Sequence, residues 1–162
     1  MKKIITTALA LAMCMQFAAC SQGNSSGNTE STTSATTAQT TAAELVEPEE
    51  HGTSAYLDYL CAKAKADAQT ATTEELQNAL DWLKDNTSTY FDSQENMEQM
   101  IYNGELLEYK YKKTGSLHEK IGWQAFKTVK YVYRGAESVS DSATQDNLAE
   151  LKELLANVPD IE

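Results

Sequence analysis

The fold turns on Asp92-Ser-Gln-Glu-Asn-Met-Glu-Gln-Met-Ile-Tyr-Asn-Gly-Glu-Leu-Leu-Glu-Tyr-Lys-Tyr-Lys-Lys113. At 100° per residue, Met97, Met100, Ile101, Gly104, Leu107 and Tyr111 fall on one arc, and Tyr102, Leu106 and Tyr109 on a second. A helix apolar on two sides is buried on two sides, so this segment belongs at the centre of a bundle. Asp92 followed by Glu95 has the spacing of a capping box and sets the start at Ser93. Gly104 costs about 1 kcal/mol of helix propensity relative to alanine, which close approach of a neighbouring helix would offset. The end of the stretch permits another reading. Leu107, Tyr109 and Tyr111 alternate with Glu108, Lys110 and Lys112, and Val129 to Tyr133 is rich in β-formers, so a hairpin around 106–133 in an α+β fold is the alternative. Helices are preferred because capping signals precede both segments and the apolar spacing holds over four to five turns.

Similar signals recur on either side. Ser54 opens a helix over 55–69, with Tyr56, Leu57, Leu60, Cys61, Ala64 and Ala68 on one arc. Thr72 with Glu75 opens 73–86, with Leu76, Ala79, Leu80 and Leu83 inward. Ser116 with Glu119 opens 117–134, stopped by Gly135. Ser142 with Gln145 opens 143–157, with Leu148, Leu151, Leu154 and Leu155 inward and Pro159 beyond its end. The expected fold is all-α: a compact orthogonal or up-down bundle of about five helices over residues 51–162. No internal repeat connects these helix starts.

Toward the N-terminus the composition changes. Ser21 to Ala43 is Ser, Thr, Gly, Asn, Gln and Ala without periodic apolar residues, too little to offset the entropy of ordering. Residues 20–50 are expected to form a disordered tether, with a contour of about 100 Å and an r.m.s. span of about 30 Å. Glu44, Glu47, Glu49, Glu50 and His51 cluster around Pro48 without tight ligand spacing, so no metal is assigned there.

Residues 1–19 have the form of an export signal. Lys2 and Lys3 supply the positive charge, and Ile4–Ala19 is an apolar run of 16 residues, short for a membrane span. Phe17-Ala18-Ala19-Cys20 resembles the lipobox of bacterial lipoproteins, with Phe17 standing where leucine is usual. Cys14 is a poorer match because bulky Met13 precedes it. The resemblance covers residues 1–20 only. It implies cleavage before Cys20, a diacylglyceryl thioether on that residue and retention on a membrane surface outside the cytoplasm. Two acyl chains hold where one does not, each buried methylene adding about 0.8 kcal/mol. Cys14 would leave with the signal and Cys20 would be acylated. Cys61 would then have no disulfide partner, consistent with a small buried apolar side chain.

The whole chain carries a formal net charge of −11. Loss of Lys2 and Lys3 would make this −13 and would argue against nucleic-acid binding by the whole domain. The charge is unevenly placed. Residues 51–108 hold 3 basic and 11 acidic side chains, residues 109–134 hold 7 and 1, and residues 135–162 hold 1 and 7. On the fourth helix Lys120, Trp123, Lys127, Lys130 and Arg134 share a stripe about 80° wide, opposite Ile121, Ala125, Val129 and Val132, with Tyr131 beside it. Cations beside aromatic rings suit an anionic or aromatic-rich partner: an envelope protein, an anionic polymer or lipid headgroups. The same helix could instead face its own acidic neighbours.

Catalytic motifs are not apparent: no phosphate loop, His-Glu-x-x-His, CxxC or nucleophile elbow. His118 has no sequence-adjacent nucleophile, and the pairs Glu74-Glu75 and Glu105/Glu108 are placed on helical surfaces. No cofactor is assigned. The expected function is that of a lipid-anchored binding module of the cell envelope. The alternative is a lipid-anchored receptor for a small glycan or peptide, which needs a concave pocket lined by Tyr and Trp. An envelope enzyme is the third reading.

Overall fold

The structure, a computed structural model, describes residues 45–162. The expected export signal (1–19), Cys20 and most of the expected tether lie outside the described residues. Five helices follow in order: α1 (Ser54–Asp67), α2 (Thr73–Asp85), α3 (Gln94–Lys110), α4 (Leu117–Tyr133) and α5 (Ser142–Asn157). They form an all-α bundle with no strand among the described residues. The segment that could have begun a hairpin is helical through Lys110 and then turns sharply, with Lys113 and Gly115 at φ 67° and 70°. None of the described helices is long and apolar enough to cross a membrane.

α3 is the central element, packing on α1, α2 and α4, while α5 packs on α4 and α2. Met100, Ile101 and Leu107 are fully buried on its first face, and Leu106 is buried on its second. They meet Leu57, Leu60, Leu80, Leu83, Ile121, Val129, Leu151 and Leu155 in one core. Each such side chain contributes on the order of 2 kcal/mol through burial. Between α2 and α3, buried Tyr90 donates its hydroxyl to the Leu83 carbonyl and stacks on Trp82 at 5.9 Å.

The α3–α4 contact is the most extensive in the bundle, and it brings the two backbones close. A Cβ on Gly122 would lie 2.4 Å from Glu108 N and 2.5 Å from Gly104 O. On Gly104 it would lie 2.9 Å from Ala125 Cβ. The two glycines therefore face each other's helices, and the backbone approach expected at Gly104 is present.

The helix starts follow the capping chemistry with shifts of one residue. The Thr72–Glu75 box is complete, with both reciprocal bonds formed. α1 is capped by Thr53 rather than Ser54, its hydroxyl accepting from Tyr56 N at 3.2 Å. α3 is capped by Ser93 rather than Asp92, accepting from Asn96 N at 3.1 Å. Asp141 stands at the cap of α5 but directs its carboxylate to Ser138 N, bracing the loop instead. Thr53-Ser54, Asp92-Ser93 and Asp141-Ser142 are each two adjacent residues able to cap, and spacing alone does not choose between them.

The segment after α5 is secured to the bundle. His118 Nε2 donates to the Pro159 carbonyl at 3.1 Å and its ring stacks on Tyr111 at 4.8 Å. Ile161 N donates to Gln77 Oε1 at 2.6 Å, and Lys84 pairs with Asp160 at 3.1 Å. At the other end Glu47 accepts from the hydroxyls of Tyr56 and Tyr59. His51 lies 3.0 Å from Glu98, which also accepts from the Tyr133 hydroxyl.

Candidate functional site: the outer face of α4 and the α1–α3 cleft

α4 is anchored by its inner face. Ile121, Ala125, Val129 and Tyr133 are buried, and Gly122 sets the helix against α3. The outer side is thereby held in a fixed orientation. Trp123 is 48 % exposed and Tyr131 39 %. Of the five large apolar side chains exposed among the described residues, these two share one helix face.

Lys130 binds this face together. Its Nζ lies 5.3 Å from the Trp123 ring centroid, 5.1 Å from Phe126 and 4.9 Å from Tyr131. Arg134 Cζ lies 5.2 Å from the Tyr131 ring centroid, and its Nε donates to the Lys130 carbonyl. Contacts of this kind contribute about 0.5–1 kcal/mol at exposed sites and more when desolvated. A cation held over ring faces presents positive charge without a long search of rotamers.

The expected stripe is divided. Trp123, Lys130 and Arg134 come together with Tyr131. Lys127 turns toward α5, 3.9 Å from Glu150, a pair exposed enough to contribute about 0–1 kcal/mol. Lys120 is exposed and makes no ion pair among the described residues. Phe126, just outside the 80° stripe, joins the cluster because its ring lies 6.2 Å from Trp123.

Behind α4 lies an acidic side chain that was expected on a surface. Glu105 is only 4 % exposed. α3 packs on both α1 and α4, and Glu105 lies near enough to act on Cys61 of the first and Lys130 of the second. Burial, then the neighbouring Glu108, pushes its carboxyl up to about 7, against the pull of Lys112 and Lys130. Glu108 is also raised, chiefly by burial. Cys61 is half-buried beside the core, and burial followed by Glu105 pushes its thiol up to about 12, which removes it from thiolate chemistry near neutrality.

A second concavity opens between α1, α2 and α3, with a volume of about 590 Å³. Its lining includes Lys63, Asp67, Trp82, Gln99, Tyr102 and Asn103. Lys63 Nζ and the Tyr102 hydroxyl donate to the same Asp67 oxygen at 2.6 and 2.7 Å. These two bonds hold the Asp67 carboxyl below the usual carboxylate range. The concave site required by the receptor reading is therefore present. Sequence reasoning did not place these residues together. The second apolar arc of α3, through Tyr102, marked the face, but a cavity depends on helix separation, which periodicity does not carry.

Among the described residues no group of three His, Cys, Asp or Glu side chains is arranged to hold a metal ion. No family model, curated protein or solved structure matches the chain.

Proposed function

We propose that this protein is a lipid-anchored binding module of the bacterial envelope. It is held outside the cytoplasm through Cys20 and presents the outer face of α4 to an anionic partner, either a polymer or an acidic protein face. The observation that carries the reading is the Trp123–Phe126–Lys130–Tyr131–Arg134 cluster, with Trp123, Tyr131 and Arg134 exposed, on a helix whose inner face is buried. Exposed aromatic and arginine side chains in one fixed group are what binding hot spots are made of. The segment carrying them, 109–134, is the basic part of the otherwise acidic region 51–162, so its local field attracts a partner that the whole surface would repel. Anchoring rests on the resemblance of Phe17-Ala18-Ala19-Cys20 to a lipobox.

The test is retention of the unacylated chain on isolated cell envelopes. Lys130 also offsets charge on Glu105, so the informative substitutions are Trp123→Ala and Arg134→Glu, which leave the core alone. Retention is expected to fall about tenfold with an unchanged helical circular-dichroism signal, and to weaken with added salt. Equal retention of wild type and variants would remove this face from consideration.

A further inference from the structure

The cleft between α1, α2 and α3 contains an unsatisfied group. Asn103, 3 % exposed on α3, lines it and accepts from Gln99 Nε2 at 3.0 Å through its Oδ1. Its Nδ2 is buried and has no hydrogen-bond partner. A buried donor left unpaired costs about 1–3 kcal/mol, and a cavity next to it offers a place for the missing acceptor.

Two of the three charges around it are paired with each other. Lys63 and Asp67 neutralise each other, and Tyr102 closes the group with its hydroxyl. Glu75 accepts from both the backbone N–H and the hydroxyl of Thr72, so it serves its own helix start. Beyond the second oxygen of exposed Glu75, the uncommitted polar groups are uncharged: the Asn103 donor, the Gln99 side-chain oxygen and the exposed side-chain amide of Asn78. Trp82 and Tyr102 add ring surface beside Ala71, Ala79 and Leu106. An anion would meet two carboxylates. A cation would find Asp67 already paired with Lys63 and only the second oxygen of exposed Glu75 open. A hydrocarbon would leave the amides unsatisfied. A sugar ring fits, because it has apolar C–H faces for the aromatic walls and hydroxyls that both donate and accept.

We propose that this cleft binds a neutral saccharide of one or two rings, with Asn103 and Asn78 meeting its hydroxyl or carbonyl oxygens and Trp82 or Tyr102 stacking on its face. The site is separate from the outer face of α4, so failure of one leaves the other standing.

The experiment is a nuclear-magnetic-resonance titration of the full, isotopically labelled chain with chitobiose, cellobiose and, as a charged comparison, tri-lysine. One or both disaccharides are expected to shift the Trp82 indole and Asn103 side-chain amide signals while leaving Trp123 in place. Asn103→Leu is expected to weaken binding about tenfold with little change in melting temperature, since the buried donor it removes has no acceptor and exposed Gln99, which loses its acceptor, can turn to water. Asn78→Ala, at an exposed helical position, should weaken it about fivefold and decides the matter if Asn103→Leu does not fold. The proposal is overturned if neither disaccharide moves the two signals, or if only Trp123 responds. It is overturned equally if tri-lysine alone moves them, or if the folded variants bind as wild type does.

Discussion

Glu105 shows how a single residue departs from a surface reading. Its sequence position beside Glu108 suggests a solvated acidic ridge, yet the side chain is buried between helices with its carboxyl raised from 4.5 to about 7. A carboxyl whose folded value exceeds its unfolded one binds more protons in the native state between those values. Its contribution is fully present below about pH 4.5 and is lost as the pH rises through about 7. Glu105→Gln should therefore stabilise the protein by on the order of 2 kcal/mol at about pH 8 and by little at about pH 5, as read from urea unfolding at the two values. An equal effect at both would mean that the carboxyl ionises freely. Periodicity missed this burial because the residue lies between the two apolar arcs of α3, where the helices packed against α3 cover it. Its neighbour Asn103 was missed for the same reason: neither the cover nor the unpaired donor is visible until the helices are assembled.

At the scale of elements, much of the bundle was legible. Five apolar stripes and their capping residues place five helices within a few residues of their observed ends. The two-sided apolar pattern of α3 put it at the centre, and the weak propensity of Gly104 pointed to a close helix neighbour. Gly122 was not singled out, although its space is tighter still. Gly122→Ala would place a methyl carbon against backbone atoms of Glu108 and Gly104, which cannot turn aside as a flexible side chain can. It should cost about 2–3 kcal/mol in denaturant unfolding, whereas Gly104→Ala, which meets the Ala125 methyl and a carbonyl, should cost less. The reverse order would show that the α3–α4 crossing is looser than the backbone distances indicate. What stripe geometry could not resolve was the division of the basic face. Lys127 and Lys130 are three residues apart, yet one points to Glu150 and the other lies among three rings.

For the whole molecule, the proposed arrangement is an acidic bundle on a long leash with one basic, aromatic face. The leash and its anchor rest on residues 1–44 as read from sequence. If Cys20 bears the lipid, Cys20→Ala should release the chain into the medium or leave an uncleaved precursor, seen by fractionating cells and comparing mobility. Processed protein still on the membrane would contradict acylation at that residue. Membrane attachment fixes where the bundle acts; α4 is what would act. The most direct measurement is photo-crosslinking on intact cells from a reactive group at position 120, on the exposed stripe, with position 81 on α2 as the control. A discrete crosslinked species is expected from position 120, absent from position 81, and lost in Trp123→Ala and Arg134→Glu chains that remain folded and anchored. Equal crosslinking from both positions, or a species from position 120 that both substitutions leave intact, would contradict it.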